Sequence, residues 1–522
     1  MKATTLGCAC LFSIVLGCSD QLTNPNPSAE SGGAAGAATT LGGSTSGSGG
    51  SGNALSGAAG SSTAMSGAAG LGGGSMSGSG GFAGATGGSG GNAMAGAGGS
   101  NGGSAGAGGM LSSADAKRLA AAILSDPDIA TTRALCQKIL ASGFDAGAGY
   151  PQVWIRDTNT FIEVLLDKQP AQPLRAALLK FFQYQGEDNS KPPPPSGPYP
   201  NFGTADGNIL DGYYSSNNAH FKNTAETDQE TSLVQAVRKY VDKAGDRTIL
   251  AEVVNGRTVS QRMGDALTYL LTNRLSAKYG LIWGATTADW GDNQPEDSPG
   301  AWLDDKTHPA IDIYDNAMFI IAVRDYIDLV GDPGGQWQPV LDRTRANVRQ
   351  YLWDGHMFKA HLYLDKGSPF PNTFDESAVF YHGGAAIAME ADLLSRDEIA
   401  WSLKQMRDDV SQAHAATIGL NQYPPYPNGL FVNPVQSAPY TYQNAGDWPW
   451  FGGRIIVQLA RFGFVQEAYD ELKPMLKLFV RDNDLNEWYT PGGKAAGSGQ
   501  FKGAAGSIGK AIAALEAWAK VQ

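Results

Sequence analysis

Side chains suited to binding a sugar are concentrated in residues 440–453, YTYQNAGDWPWFGG. Aromatic rings stack on the C–H faces of a pyranose, while short amides and carboxylates meet its hydroxyl groups. The same residues would also start a helix, with Asp447 as its N-cap. Because a capped helix needs neither Gln443 nor Asn444, we interpret the segment as a pocket wall in which these two amides and Trp448 contact the sugar.

Acidic residues cluster a second time in residues 223–232, NTAETDQETS. Negative charge is favoured at the start of any helix by the helix dipole, and Thr227 with Glu230 matches a capping box. A role in substrate binding is the alternative for Asp228 and Gln229. The pattern alone leaves both interpretations open.

Two more segments place carboxyl groups beside indole rings. They are residues 283–296, WGATTADWGDNQPE, and residues 482–492, DNDLNEWYTPG. A general acid that works near neutral pH needs a raised pKa, which a site beside an indole and short of water provides. A turn or Ca²⁺ loop is the alternative for the first segment. The second has calcium-like D-x-D-x-N spacing, but its sixth position is Glu487, where a calcium loop needs glycine.

Hydrophobic periodicity predicts that these segments are positioned by helices. Helical runs are predicted at 113–124, 130–141, 159–166, 173–184, 226–243, 258–276, 315–330, 339–352, 385–394, 399–411, 449–462 and 465–481, with a last run at 505–520. Long loops at 187–225, 281–311, 354–384 and 412–447 exceed the usual length of connections and are therefore expected to be functional. Short extended inserts are expected at 357–364 and 378–382. Six helical hairpins with small β insertions describe an all-α (α/α)6 toroid.

A repeated sequence supports stacked hairpins. Residues 237–246 and 323–332 share the form V-R-x-Y-x-D-x-x-G-D. This pattern predicts a helix that ends at glycine, followed by an aspartate that starts the next helix.

The segment GYPQVWIRDT, residues 149–158, resembles the tryptophan, arginine and aspartate signature of six-hairpin glycosidases of the glucoamylase, trehalase and invertase type. The resemblance implies that Arg156 and Asp157 hold sugar hydroxyls next to the scissile bond and that Trp154 forms a pocket wall. Such a pair can orient one face of a ring, because an arginine offers several donors in fixed geometry and a carboxylate accepts two. An ordinary salt bridge at a helix start is the alternative.

The resemblance also suggests a pair of catalytic carboxyls. The sequence DWGD, residues 289–292, is similar to the D-W-x-D segment of cellobiose-phosphorylase-like enzymes, although its flanks and its middle glycine differ. This similarity favours Asp292 as the general acid, with Asp289 in reserve and Trp290 in the pocket. Glu487, beside Trp488, resembles the general base of inverting six-hairpin enzymes. Inversion requires a separation of ~6.5–9.5 Å so that a water fits between the two carboxyls.

The N-terminal segment resembles a bacterial lipoprotein signal. A lysine and an apolar run precede the lipobox V-L-G-C that ends at Cys18, although a plain secretory signal is the alternative. We expect residues 1–18 to be a signal peptide with lipidation at Cys18, 19–110 a disordered Gly/Ser/Ala-rich linker, and 111–522 the catalytic domain. The protein is then exported and anchored by lipid to the cell envelope, at its periplasmic face or the cell surface.

Composition excludes several classes of function. A net charge of −12 and a pI near 5.0 argue against nucleic acid and favour a neutral saccharide substrate. No zinc spacing, phosphate-binding loop or dinucleotide fingerprint occurs, so we expect neither a metal nor a cofactor. Past the signal, Cys136 is the one cysteine, which is expected to be buried and unpaired.

The sequence therefore predicts an inverting glycosidase, exo-acting on an α-linked bond. Three alternatives remain: a phosphorylase of the same fold, a polysaccharide lyase, and a non-catalytic glycan-binding surface lipoprotein.

Overall fold

The computed structural model describes residues 111–186, 198–199, 202, 205–214 and 220–522. The predicted signal peptide, its Cys18 and the linker at 19–110 lie outside the described residues. Within them are thirteen α-helices: α1 Ser113–Ser125, α2 Pro127–Leu140, α3 Ile155–Leu165, α4 Ala171–Gln183, α5 Asp228–Ala244, α6 Val259–Asn273, α7 Ile313–Val330, α8 Trp337–Asn347, α9 His382–Glu390, α10 Arg396–Ala413, α11 Pro449–Arg461, α12 Val465–Asp482 and α13 Lys502–Ala519.

The helices form a double ring. The inner ring consists of α3, α5, α7, α9, α11 and α13, each of which packs against the next, and α13 closes the ring on α3. The even-numbered helices lie outside, so each outer helix is followed by an inner one, and α1 packs against α13. The predicted all-α (α/α)6 toroid is confirmed. All inner helices run in the same direction, and they begin at the same end of the ring.

Short β-strands pair within the loops between the helices. They are β1 Gln152–Trp154, β2 Gly212–Tyr214, β3 His220–Phe221, β4 Val253–Val254, β5 Arg257–Thr258, β6 Gly284–Ala285, β7 Pro309–Ile311, β8 Leu362–Tyr363, β9 Phe380–Tyr381, β10 Gln422–Tyr423, β11 Trp488–Tyr489 and β12 Ala495–Ala496. The two predicted extended inserts are present as β8 and β9. They pair with β7 and β10 respectively and so join separate loops.

The repeated glycine marks helix ends as predicted. Gly245 follows α5 with φ +68° and Gly331 follows α7 with φ +87°, a conformation that glycine adopts readily. The carboxylate of Asp332 then accepts the backbone N–H of Trp337 at 3.0 Å, at the start of α8. Each repeat therefore ends one helix and starts the next element.

The predicted capping box at α5 is wrong. Thr227 makes no side-chain capping hydrogen bond. Glu230 instead accepts the backbone N–H of Ile209 at 2.8 Å and the amide of Asn208 at 3.1 Å. Its carboxylate therefore binds a loop outside the helix. Local sequence patterns do not predict a contact of this kind.

Residues of both rings contribute to one main apolar core. Cys136 is fully buried in it, as expected, and burial raises the pKa of its thiol to about 12. Among the described helices, none combines the length and apolar character needed to cross a bilayer.

Candidate active site

A cavity of about 80 Å³ lies at the end of the ring where the inner helices begin. Arg156 and Asp157 reach it from the first turn of α3, and Trp450 from the first turn of α11. Eight of the residues proposed from the sequence line this cavity: Trp154, Arg156, Asp157, Trp290, Asp292, Gln443, Trp448 and Glu487. Residues separated by more than 300 positions thus meet in one pocket.

Glu487 is buried in the wall of this cavity, just before β11. The hydroxyl of Tyr150 donates to its Oε1 at 2.8 Å and to its Oε2 at 2.9 Å, and the backbone N–H of Ser498 donates to Oε2 at 2.8 Å. Burial raises the pKa of Glu487 to about 7, against the lowering by Ser498 and Tyr150. A carboxylate with this pKa can accept a proton near neutral pH.

The Tyr150 hydrogen bond is expected to set the pH at which Glu487 ionises. If Glu487 acts as a base, activity falls as the pH drops below its pKa of about 7. Tyr150→Phe removes a donor that favours the charged form, so the pKa rises and the acidic limb of kcat/KM moves to higher pH. The measurement is a kcat/KM profile from pH 5 to 9 for both proteins.

A purely structural role for Tyr150 predicts a different result. In that case the variant loses activity by the same factor at every pH, and the limb stays in place. Tyr489→Phe is the matched control, since Tyr489 is a neighbouring buried tyrosine whose hydroxyl receives a bond from Asn486 and does not contact Glu487.

Asp292 is half-buried and lines the same cavity. Its backbone carbonyl accepts the side chain of Asn223 at 3.0 Å, and its Oδ1 accepts the amide of Asn293 at 3.0 Å. Its charge raises the pKa of Glu487, so the two carboxyls interact electrostatically. The acid and base proposed from the sequence are therefore brought together.

Asp289, the reserve acid, does not line the cavity. Its carboxylate accepts the backbone N–H groups of Gly383 and Gly384, both at 2.8 Å, in the first turn of α9. Asp289 thus ties the loop to a helix N-terminus, where a carboxyl is favoured. Trp290, the next residue, is turned into the cavity.

Arg156 is held by two carboxylates from the start of α5. Its Nε donates to Asp228 Oδ2 at 2.5 Å, and its Nη2 pairs with Glu226. Tyr314 also donates to Asp228 at 2.6 Å, and Gln229 donates to Glu226 at 2.8 Å. Asp228 and Gln229, proposed as substrate contacts, therefore lie behind Arg156 and hold it in place rather than lining the cavity.

Two further carboxyls face the cavity. Asp157 is buried and its Oδ1 has no hydrogen-bond partner in the protein, so it is available to a ligand. Burial raises the pKa of Asp157, and also that of Asp211, to about 8. Asp211 is absent from the sequence-based prediction. The available signal was a charged residue between the apolar pair Ile209–Leu210 and the aromatic strand β2.

Indole rings form one side of the pocket. Trp290 stacks on Phe451 with centroids 4.6 Å apart and meets the edge of Trp448 at 4.7 Å. Its Nε1 donates to Asn421, which fixes the ring. Trp154, the last residue of β1, lies opposite Gly212 of β2 in the strand register. Trp488, also proposed as a sugar contact, is half-buried in β11 and does not line the cavity.

The segment 440–453 has several separate roles. Gln443 lines the cavity, and its Nε2 is buried with no hydrogen-bond partner. Asn444 does not line it, because its side chain bonds the backbone of Tyr426 through both Oδ1, at 2.8 Å, and Nδ2, at 3.0 Å. Only Gln443 of the two amides is thus placed for a sugar.

The assignment of Asp447 as a helix cap is wrong. The N-cap of α11 is Trp448, with no side-chain capping bond and a proline in the first turn. Asp447 instead accepts the N–H of Thr417 at 2.8 Å and its hydroxyl at 2.5 Å. Its backbone bonds Tyr489 in β11, so Asp447 links this segment to the strand that follows Glu487.

Within the described residues, no group of three or more His, Cys, Asp or Glu side chains is arranged to hold a metal ion. The residues that line the cavity supply carboxyls, amides, tyrosine hydroxyls, indole N–H groups and one guanidinium. This set can bind hydroxyl groups and transfer protons.

Comparison with known proteins gives structural neighbours only. No family model matches the sequence, and no curated protein matches it. The structure is similar to the GH63 mannosylglycerate hydrolase from Thermus thermophilus in complex with glucose, with a TM-score of 0.51 and 16% identity over 74% of this chain and 99% of that chain. For the same enzyme in complex with Tris and D-glycerate, the TM-score is 0.51 and the identity is 14%, over 73% of this chain and 99% of that chain. For the cellobiose 2-epimerase from Spirochaeta thermophila, the TM-score is 0.47 and the identity is 12%, over 78% of this chain and 96% of that chain. At this identity, the GH63 likeness shows the shared fold.

Proposed function

We propose that this protein is an inverting glycoside hydrolase, with Asp292 as general acid and Glu487 as general base. The observation that carries the proposal is the meeting of these two carboxyls in one cavity with a wall of indole rings. The GH63 hydrolase of the same fold supports it, since that protein is described in complex with glucose.

The proposed reaction needs one acid and one base. Asp292 gives its proton to the glycosidic oxygen as the bond from that oxygen to the anomeric carbon breaks. A water attacks the same carbon from the opposite face, and Glu487 takes the proton that this water loses. After the reaction Asp292 is deprotonated and Glu487 is protonated. Proton exchange with solvent restores the starting state of both carboxyls. Asp157, Gln443 and the indole rings hold the sugar.

A neutral substrate is part of the proposal. Four carboxyls line the cavity, while Arg156, its one cationic lining residue within the described part of the chain, is already balanced by Glu226 and Asp228. An anionic sugar would find no unpaired cation there. We further propose exo-action on an α-linked bond, because the long loops would close one end of the cleft.

The deciding experiment is a screen of α- and β-linked aryl glycosides and disaccharides, followed by proton NMR during the first minutes of reaction. Inversion predicts that an α-linked substrate releases the β-anomer first. Release of the α-anomer would refute the roles of Asp292 and Glu487. Turnover only with phosphate present would identify a phosphorylase, and unsaturated products absorbing in the ultraviolet would identify a lyase.

The location is also a proposal. We infer export and lipid anchoring through Cys18, on the basis of the lipobox. Palmitate labelling of the full-length protein, with Cys18→Ser as control, tests it, and equal labelling of both proteins would refute it.

A further inference from the structure

A second cavity, of about 20 Å³, lies deeper inside the ring. It is lined by residues of five inner helices: α3, α5, α9, α11 and α13. Arg454 lies about one turn beyond Trp450 on α11, and Glu163 about two turns beyond Arg156 on α3. The second cavity is thus separated along the ring from the candidate active site, and none of its lining residues has a part in the proposed reaction.

The lining carries more positive than negative charge. Lys510 pairs with Glu163 at 2.5 Å, and Arg454 pairs with Glu390 at 3.4 Å. Lys239, the third cation, donates to the backbone carbonyl of Asn159 at 2.8 Å and to its side-chain oxygen at 2.9 Å. These two acceptors are neutral, and the carboxylates of Glu163 and Glu390 act on Lys239 only at longer range, because they pair with Lys510 and Arg454.

Two observations show that this charge is poorly compensated. Burial, together with the charges of Lys510 and Arg454, lowers the pKa of Lys239 to about 8, although Glu163 and Glu390 act in the opposite direction. Arg454 is 7% exposed, and its Nη1 has no hydrogen-bond partner in the protein although it is buried. A buried donor without an acceptor is costly, and a buried charge without a counter-charge costs more.

Helix dipoles do not supply the missing negative charge. Their effect is confined to about the last turn of a helix. Lys239 lies five residues before the end of α5, and Arg454 lies seven before the end of α11. A water molecule could accept from Arg454, but it would leave the net charge unchanged.

We propose that this second cavity binds a small monovalent anion, of the size of chloride, between the Arg454 guanidinium and the Lys239 ammonium. The anion accepts from Nη1 of Arg454 and brings the charges that line the cavity to three of each sign. It also links α5 to α11, helices that lie on opposite sides of the inner ring. Bound anion is therefore expected to stabilise the folded protein.

The test is thermal unfolding of the full chain during a chloride titration. Sodium gluconate is exchanged for sodium chloride at constant ionic strength, since gluconate is too large for the cavity. We expect a saturable rise in Tm of about 2–5 °C, because a ligand that binds only the folded state stabilises it by mass action. Broadening of the ³⁵Cl NMR signal should saturate over the same concentration range.

Two variants change the site in opposite directions. Lys239→Met removes the unbalanced charge and should abolish the saturable shift, whereas exposed Lys477→Met on α12 should leave it unchanged. Glu163→Gln leaves Lys510 without its partner and should tighten chloride binding by about tenfold.

The proposal is overturned if chloride and gluconate give the same Tm, which would mean that the cavity holds only water. It is also overturned if Lys239→Met responds like the wild type, because chloride would then bind elsewhere. Should Lys239→Met fail to fold, unchanged affinity in Glu163→Gln is by itself sufficient to reject the site.

Discussion

Replacing Glu487 by glutamine, or Asp292 by asparagine, is expected to lower kcat by about 10²–10⁴-fold, the usual contribution of a general acid or base. The amides keep the size of the side chains but cannot exchange the required protons. Sugar binding should survive, because Trp290, Asp157 and Gln443 remain in the cavity. The measurements are kcat on the best substrate of the screen and the Kd of its product by calorimetry.

The matched control for both substitutions is Asp305→Asn, an exposed carboxyl in the same long loop as Asp292. It should keep full activity. If either variant keeps a kcat within about tenfold of wild type, the replaced residue is not the general acid or base. Loss of binding together with turnover would instead point to a structural effect, and full retention of all function would favour the non-catalytic glycan-binding alternative.

Replacing Arg156 by methionine is expected to destabilise the fold by about 3–5 kcal/mol, the usual cost of removing one partner from a buried ion pair. The substitution leaves Glu226 and Asp228 buried, at 4% and 1% side-chain exposure, with their cation removed. Urea unfolding followed by circular dichroism measures the change in the free energy of unfolding.

Arg238 offers a close control on the same helix as Asp228. It also pairs with two carboxylates, those of Asp242 and Asp328, but these are 56% and 53% exposed. Because water screens such pairs, Arg238→Met should cost at most about 1 kcal/mol. If both variants lose the same free energy of unfolding, burial does not determine how strongly Arg156 and its two carboxylates stabilise the fold.

The fold was accessible from the sequence because its signals are local. Apolar spacing of 3.6 residues marks each helix, and glycine stops such as Gly245 and Gly331 separate them. The predicted boundaries were less accurate. α9 begins at His382, three residues before the predicted start at 385. The prediction started late because the run His382–Gly383–Gly384 has little helical propensity. Tertiary packing of α9 against α7 and α11 overrides this weakness.

The site was only partly accessible, because its details depend on contacts between distant segments. Asp289 and Asp292 have similar local sequences, yet one carboxyl binds the N-terminus of α9 and the other faces the cavity. The same holds for Asp447, whose partner Thr417 is 30 residues away. Asp211 carried no motif, and only the pairing of β1 with β2 brings it to the pocket.

The closure of the inner ring by α13 has a consequence for the order of events during synthesis. Tyr150 and Glu487, which share a hydrogen bond, are 337 residues apart, and α13 contacts α1, α2, α3 and α11. A nascent chain can stack its early hairpins as they leave the ribosome, but the ring stays open until its final helix emerges. The pocket therefore forms only after α13 has been translated. Until then the apolar inner faces of the earlier helices are exposed and must be protected from aggregation.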